Sequence, residues 1–99
     1  MTEFIQVVTT VGTMEVGERI ADRLVAERLA ACVQISGPIT STYHWQGKIE
    51  QEQEYVCTVK TFRKNYPEIE KIILDLHPYE TPEIIATPVL PQTRIFSTG

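Results

Sequence analysis

From residue 4 to residue 11 the chain reads Phe-Ile-Gln-Val-Val-Thr-Thr-Val, rich in β-branched residues and almost continuously apolar. Such a run predicts a strand buried on both faces and therefore central in a sheet. Gly12 turns the chain, Thr13 stands where a helix N-cap is needed, and Glu15 and Glu18 fall in the first turns, where the helix dipole favours negative charge. Val16, Ile20 and Leu24, with Ala21, Val25 and Leu29 beside them, make an apolar stripe at helical spacing, which predicts a helix from about Met14 to Ala30.

A second strand is expected from Ala30 to Ile35, interrupted by a bulge or bend at Gly37-Pro38 and resumed from Ile39 to Trp45. Gln46-Gly47 is a two-residue hairpin signal, and Lys48 to Lys60 is the expected return strand. Arms of about 13 residues would extend roughly 40 Å, against a radius of gyration of ~13 Å for a domain of this length. The hairpin is expected to overhang its own domain. It carries Tyr43, Trp45 and Ile49 beside Glu50, Glu52 and Glu54, too apolar for a free finger and too charged for a core. A long unpaired strand edge needs a cover, and another copy of the chain is the simplest one, so a homo-oligomer with cyclic symmetry is expected.

Beyond a short polar exit at Lys60 to Lys64, Asn65 is placed to cap a second helix, with Pro67 in its first turn. Tyr66, Ile69, Ile72, Ile73 and Leu76 give that helix its buried face, and Glu83 to Leu90 reads as a fourth strand in which Pro88 suits an edge. Pro91 to Gly99 shows no periodicity and reads as a loose tail. The order strand, helix, strand, strand, helix, strand is the α+β, ferredoxin-like βαββαβ sandwich, with both helices on one face of the sheet and residues 1–99 forming a single domain. This topology sends the first strand and the second helix to the same end of the sheet. His77, Tyr79 and Glu80 are therefore expected near Thr9 and Thr10, with Cys32 at the opposite end, too far from His77 to share an ion within one subunit.

Composition narrows the functional classes. A net charge of −4 argues against a sequence-independent nucleic-acid binder, which needs a basic face. No apolar run approaches the ~20 residues of a membrane span, and the start lacks a signal-peptide pattern, so a cytoplasmic location is expected. Cys32 and Cys57 fit no zinc spacing and are expected to be thiols, buried as small hydrophobes.

The densest group of potential ligands is His77-Pro78-Tyr79-Glu80-Thr81-Pro82-Glu83. Pro78 should end the helix at about His77, and Pro82 should stiffen an extended turn. Rigid loops of this kind are where binding residues concentrate. His77 and Glu80 are the metal-capable pair, since imidazole suits copper, nickel or zinc and a carboxylate adds charge compensation. Tyr79 would serve as a wall or hydrogen-bond partner, and Trp45 and His44 at the hairpin tip as interface residues. A plain helix-to-strand corner, with His77 or Glu80 bonded to nearby backbone, is the competing reading. No nucleophile and base share a neighbourhood and no Gly-rich phosphate loop follows a strand, so no enzyme is expected.

The chain resembles the CutA family, the divalent-cation tolerance proteins. The resemblance rests on Ala-Glu-Arg-Leu-Ala-Ala-Cys at 26 to 32, Tyr-His-Trp-Gln-Gly-Lys-Ile-Glu at 43 to 50, Val-Lys-Thr at 59 to 61 and His-Pro-Tyr-Glu-Thr-Pro-Glu-Ile-Ile at 77 to 85. It implies a homotrimer similar in build to PII signalling proteins, with hairpins interlocked between neighbours, and a link to tolerance of copper and other divalent cations. It also implies a copper site using cysteine and histidine, onto which Cys32 and His77 map. Thr9 stands where some members carry a further cysteine near the end of the first strand, and a hydroxyl is a poor ligand for a soft ion. The family's aromatic-bearing C-terminal helix has no counterpart in the sequence from Pro91 to Gly99.

These residues lead to a trimeric protein of metal tolerance that binds Cu(II), another divalent cation or a small molecule at its subunit interfaces, with His77, Glu80 and Cys32 as candidate ligands. Tyr79, Thr9 and Trp45 are the further pocket candidates. No cofactor is expected to be required for folding, and neither nucleic acid nor membrane is an expected partner. The alternative is a PII-like signalling or protein-interaction module without a physiological metal, and a proton-transferring enzyme ranks last.

Overall fold

A computed structural model describes residues 3–90. The elements are β1 (Phe4–Val11), α1 (Met14–Ala26), β2 (Cys32–Trp45), β3 (Lys48–Phe62), a 3-10 turn (Arg63–Asn65), α2 (Tyr66–Leu76) and β4 (Ile84–Pro88). The strands form one antiparallel sheet in the order β2-β3-β1-β4. This is the α+β, ferredoxin-like arrangement expected from the order of elements. The tail from Pro91 onwards lies outside the described residues.

The core lies between the helices and one face of the sheet. Ile5, Val7, Thr9 and Val11 of β1 and Cys57, Val59 and Thr61 of β3 point there, against Ile20 and Leu24 of α1 and Ile69, Ile72 and Ile73 of α2. Because strand side chains alternate between faces, Phe4, Gln6, Val8 and Thr10 point the other way and are only partly covered. Central placement of β1 therefore holds, but one of its faces is open within a single chain, since two helices cover only one side.

Several boundaries differ from those read in the sequence. Helix α1 stops at Ala26 rather than Ala30, because Arg28 takes a left-handed conformation (φ 58°) and the Leu29 and Ala30 N–H groups fold back onto the Leu24 carbonyl. That early stop frees the Ala31 N–H to donate to the Lys60 carbonyl and opens β2. Strand β3 runs on to Phe62 instead of ending at Lys60, as Thr61 and Phe62 pair with Ile5 and Phe4. Asn65 does not cap α2; its amide donates to the Leu29 carbonyl, to which the Thr61 hydroxyl also donates, tying the α1-β2 turn to the start of α2. Strand β4 occupies Ile84–Pro88, shorter at both ends than the expected run, with Pro88 on the outer edge.

The Gly37-Pro38 irregularity decides which side chains face the open side. Ser36 pairs with Val56 and Ile39 with Glu54, so β2 carries one extra residue over that interval. Before the bulge the even-numbered residues Cys32, Gln34 and Ser36 face the open side; after it the odd-numbered Ile39, Ser41, Tyr43 and Trp45 do. Gly37 has φ 140°, and a Cβ there would lie 3.0 Å from the Glu54 carbonyl oxygen. The hairpin closes at Gln46-Gly47 with both φ values positive (51° and 78°), the signature of a type I′ turn. Its arms stretch the subunit to 45 × 26 × 22 Å. Substituting Gly37→Ala is expected to cost about 2 kcal/mol in urea unfolding, from backbone strain and the short contact. An unchanged midpoint would show that the bulge tolerates a side chain.

Candidate functional site

Helix α2 ends where the sequence places its end. His77 is the C-cap, with extended backbone (φ −77°, ψ 129°) imposed by Pro78, and its N–H still reaches the Ile73 carbonyl at 2.8 Å. The ring then turns inward and is 6% exposed. Its Nε2 lies 2.7 Å from the Thr10 carbonyl oxygen at the end of β1, and its Nδ1 accepts the Tyr79 N–H at 3.2 Å. A carbonyl can only accept and a backbone N–H can only donate, so the ring is the Nε2–H tautomer with both nitrogens in use. A metal ion would have to displace one of these bonds. In this subunit His77 locks the loop 77–83 to the central strand.

Tyr79 extends the lock outward. Its ring sits 4.6 Å from the His77 ring, centroid to centroid, and its hydroxyl donates to Glu54 Oε2 at 2.9 Å. The other oxygen of Glu54 accepts from Ser41 at 2.7 Å, and Tyr43 donates to Glu52 at 2.6 Å. Each of these hairpin pairs is a diagonal on the open face, within reach for long side chains. Partial burial, then the bond to Glu54, pushes the Tyr79 phenol up to about 12; for Tyr43 the bond to Glu52 leads, with the same result.

Between the loop and the hairpin lies an open trough of about 1160 Å³. Val8, Thr10, Ile39 and Val56 form its floor, and Tyr43, Trp45 and Tyr79 its aromatic walls. Glu50, Glu52, Glu54, Glu80 and Glu83 give it a negative rim. Glu80 is exposed on that rim, and Trp45 is 60% exposed at the hairpin tip.

The remaining candidates lie elsewhere. Cys32 is half-buried, paired with Lys60, whose other neighbour is Gln6; His77 meets β1 four residues further on, at Thr10. That offset is roughly 13 Å along the strand, so Cys32 and His77 share no site within one subunit. Thr9 is not in the trough: its side chain is fully buried on the helix side, and Thr10 takes the place at the floor. Cys57 is buried beside it in the register, and loss of solvent pushes its thiol up to about 11, away from the reactive thiolate. Among the described residues, no three His, Cys, Asp or Glu side chains converge as a metal site would require. Sequence reading placed Thr10 near His77 but overlooked Glu52, Glu54 and Ser41 as site residues, because their convergence depends on the bulge and on cross-strand diagonals.

Residues 5–97 match the CutA1 divalent ion tolerance protein family. The chain belongs to that family. It is 44% identical over 88 residues to the divalent-cation tolerance protein CutA of Thermus thermophilus, covering 89% of this chain and 85% of that one. Identity to the mouse protein CutA is 43% over 75 residues, or 76% of this chain but only 42% of the mouse protein's length. Among solved structures, the periplasmic divalent cation tolerance protein CutA of Archaeoglobus fulgidus superposes with a TM-score of 0.86 at 37% identity, over 92% of this chain and 88% of that one.

Within this CutA1 fold the buried Thr9 hydroxyl has no hydrogen-bond partner among the described residues. Thr9→Val keeps the shape and removes the stranded group, so it is expected to stabilise the protein by about 1 kcal/mol in urea unfolding. A loss of stability would reveal a partner for the hydroxyl. Spectrophotometric titration should find at least two of the four tyrosines ionising near pH 12 rather than 10. Since the folded-state values lie above the unfolded one, the stabilisation from these phenols is complete below about pH 10 and lost as pH rises through about 12. Four phenols titrating together at 10 would contradict the two carboxylate bonds.

Proposed function

We propose that this CutA1-family protein supports divalent-cation tolerance as a homotrimer, taking up copper, another divalent cation or a small ligand between subunits. The reading is supported above all by the open face of the sheet. Val8, Val56, Ile39, Tyr43, Trp45 and Ile85 all face that side, and Ile39, Tyr43, Trp45 and Ile85 are exposed large hydrophobics. An apolar sheet face beside a 14-residue strand edge is stable in water only when something covers it. A second copy presents the same need, and closed cyclic assembly satisfies all copies at once.

In this reading one subunit supplies an incomplete set of donors. Glu80 and the rim carboxylates attract the cation, a neighbouring copy completes its coordination, and Cys32 of one copy approaches the loop of another only across the boundary. His77 holds the loop rigid, and acts as a ligand only if the cation displaces the Thr10 or Tyr79 bond. The protein performs no catalysis, needs no cofactor to fold, binds neither nucleic acid nor membrane, and works in the cytoplasm. No helix among the described residues is long and apolar enough to cross a membrane. One observation favours a second reading, a PII-like signalling module without a physiological metal: both His77 nitrogens are already bonded, as suits a rigid cleft wall.

Sedimentation at low micromolar concentration should give three times the chain mass of 11.3 kDa, and a monomer there would remove the assembly. Calorimetric titration of metal-free protein with Cu(II), Zn(II) and nucleotides separates the two ligand readings. Cu(II) affinity is expected to fall about tenfold in Glu80→Gln, the loss of one charged ligand. Heat from a nucleotide and none from either metal would instead establish the signalling module.

A further inference from the structure

We infer that the Glu54 carboxylate mechanically couples the loop 77–83 to the hairpin, so that a change in the loop is transmitted to the arm and a change in the arm returns to the loop. The inference rests on the assembly reading above for its consequence, and on the geometry of one side chain for its mechanism.

Glu54 lies in β3 at the base of the overhang and is half-buried. Its two oxygens are divided between two segments. Oε1 accepts from Ser41 in the outer part of β2, and Oε2 accepts from Tyr79 in the loop. Behind Tyr79 the chain of bonds continues through its N–H to His77 Nδ1, and from His77 Nε2 to the Thr10 carbonyl. A continuous path thus runs from the central strand, through the loop, to the arm. Gly12 leaves room for it: a Cβ there would sit 3.3 Å from the Tyr79 hydroxyl and crowd it against its partner.

A carboxylate suits this joint because both oxygens are acceptors, whereas an amide offers one acceptor and one donor. Both donors also meet a charged partner, which makes the bonds stronger than neutral ones. Ser41 of the arm and Tyr79 of the loop donate to the two oxygens of one carboxylate, so Glu54 joins the arm directly to the loop. If the arm is the element by which copies interlock, ligand contact with the loop and association of subunits bias one another, and by linkage each does so by the same factor.

The test is amide hydrogen exchange, followed by NMR on the full chain, for wild type, Ser41→Ala and Tyr79→Phe. The quantity read is the exchange rate of the residue-79 amide divided by that of the core amide Val59, which corrects for any global loss of stability. Removing the Ser41 hydroxyl, on the arm, is expected to raise this ratio about tenfold, the size of a lost bond to a charged group. Removing the Tyr79 hydroxyl is expected to raise the matching ratio for the amides of Thr40 and Thr42. An unchanged residue-79 ratio in Ser41→Ala overturns the coupling. Should that variant fail to fold, Glu54→Leu gives the same reading, since it removes both acceptors whereas a glutamine amide could still bond both hydroxyls. Sedimentation of the same samples separates the two claims: a monomeric wild type removes the assembly reading and leaves the exchange test standing, whereas a trimer with unchanged ratios removes the coupling alone.

Discussion

The extra residue at Gly37-Pro38 in β2 is the constraint on which the candidate site depends. A strand alternates its side chains between two faces, so one inserted residue exchanges the faces of everything beyond it. Without it, Ile39, Ser41, Tyr43 and Trp45 would point to the side of the helices, away from Glu50, Glu52 and Glu54. With it, the aromatic rings and the carboxylates share one surface, and the diagonal bonds from Ser41 to Glu54 and from Tyr43 to Glu52 become geometrically available. Gly37 makes the bulge feasible, since its φ and its approach to the Glu54 carbonyl both exclude a side chain at low cost.

The loop 77–83 gains its rigidity from a different source. Pro78 forces His77 out of the helical region, and the imidazole, buried between a carbonyl and an N–H, leaves neither nitrogen free. A buried ring with both nitrogens bonded carries little desolvation penalty and adds a tertiary tie between α2 and β1. Tyr79 then spans from that tie to the hairpin, so the start of the loop is fastened both to the central strand and to the arm. The resulting trough is negative and aromatic, on a face that a lone subunit leaves open, and the proposed intersubunit ligand site rests on that observation.

Much of this was legible from local pattern. The inner strand β1, the Ile20-Leu24 and Ile69-Ile73 faces of the two helices, the Gln46-Gly47 turn and the stop at Pro78 agree with the reading, because each depends on residues near one another in the chain. Strand β1, however, is buried on one face only, and Val25 is exposed. The errors came where distant contacts outweigh local preference. Arg28 accepts a left-handed conformation so that Ala30 can enter the core and Ala31 can reach Lys60. Asn65 gives up a capping role for the Leu29 carbonyl, and Thr9, one residue from the trough, turns out to be on the wrong face for it.

By itself, the amino-acid sequence determined the order and kind of the elements, the ferredoxin-like topology and the overhanging hairpin, since periodicity, proline and glycine act over a few residues; the family was legible separately, from the resemblance of the segments at 26–32, 43–50, 59–61 and 77–85. Tertiary structure alone decided where each candidate ligand stands and what it bonds to. Whether His77 is free or bonded depends on a carbonyl in β1, and whether Glu54 is a lone surface charge or a joint depends on the phase set by the bulge and on Tyr79 arriving from α2. Such convergence brings together groups far apart in the chain, and no spacing along it encodes the angle at which they meet.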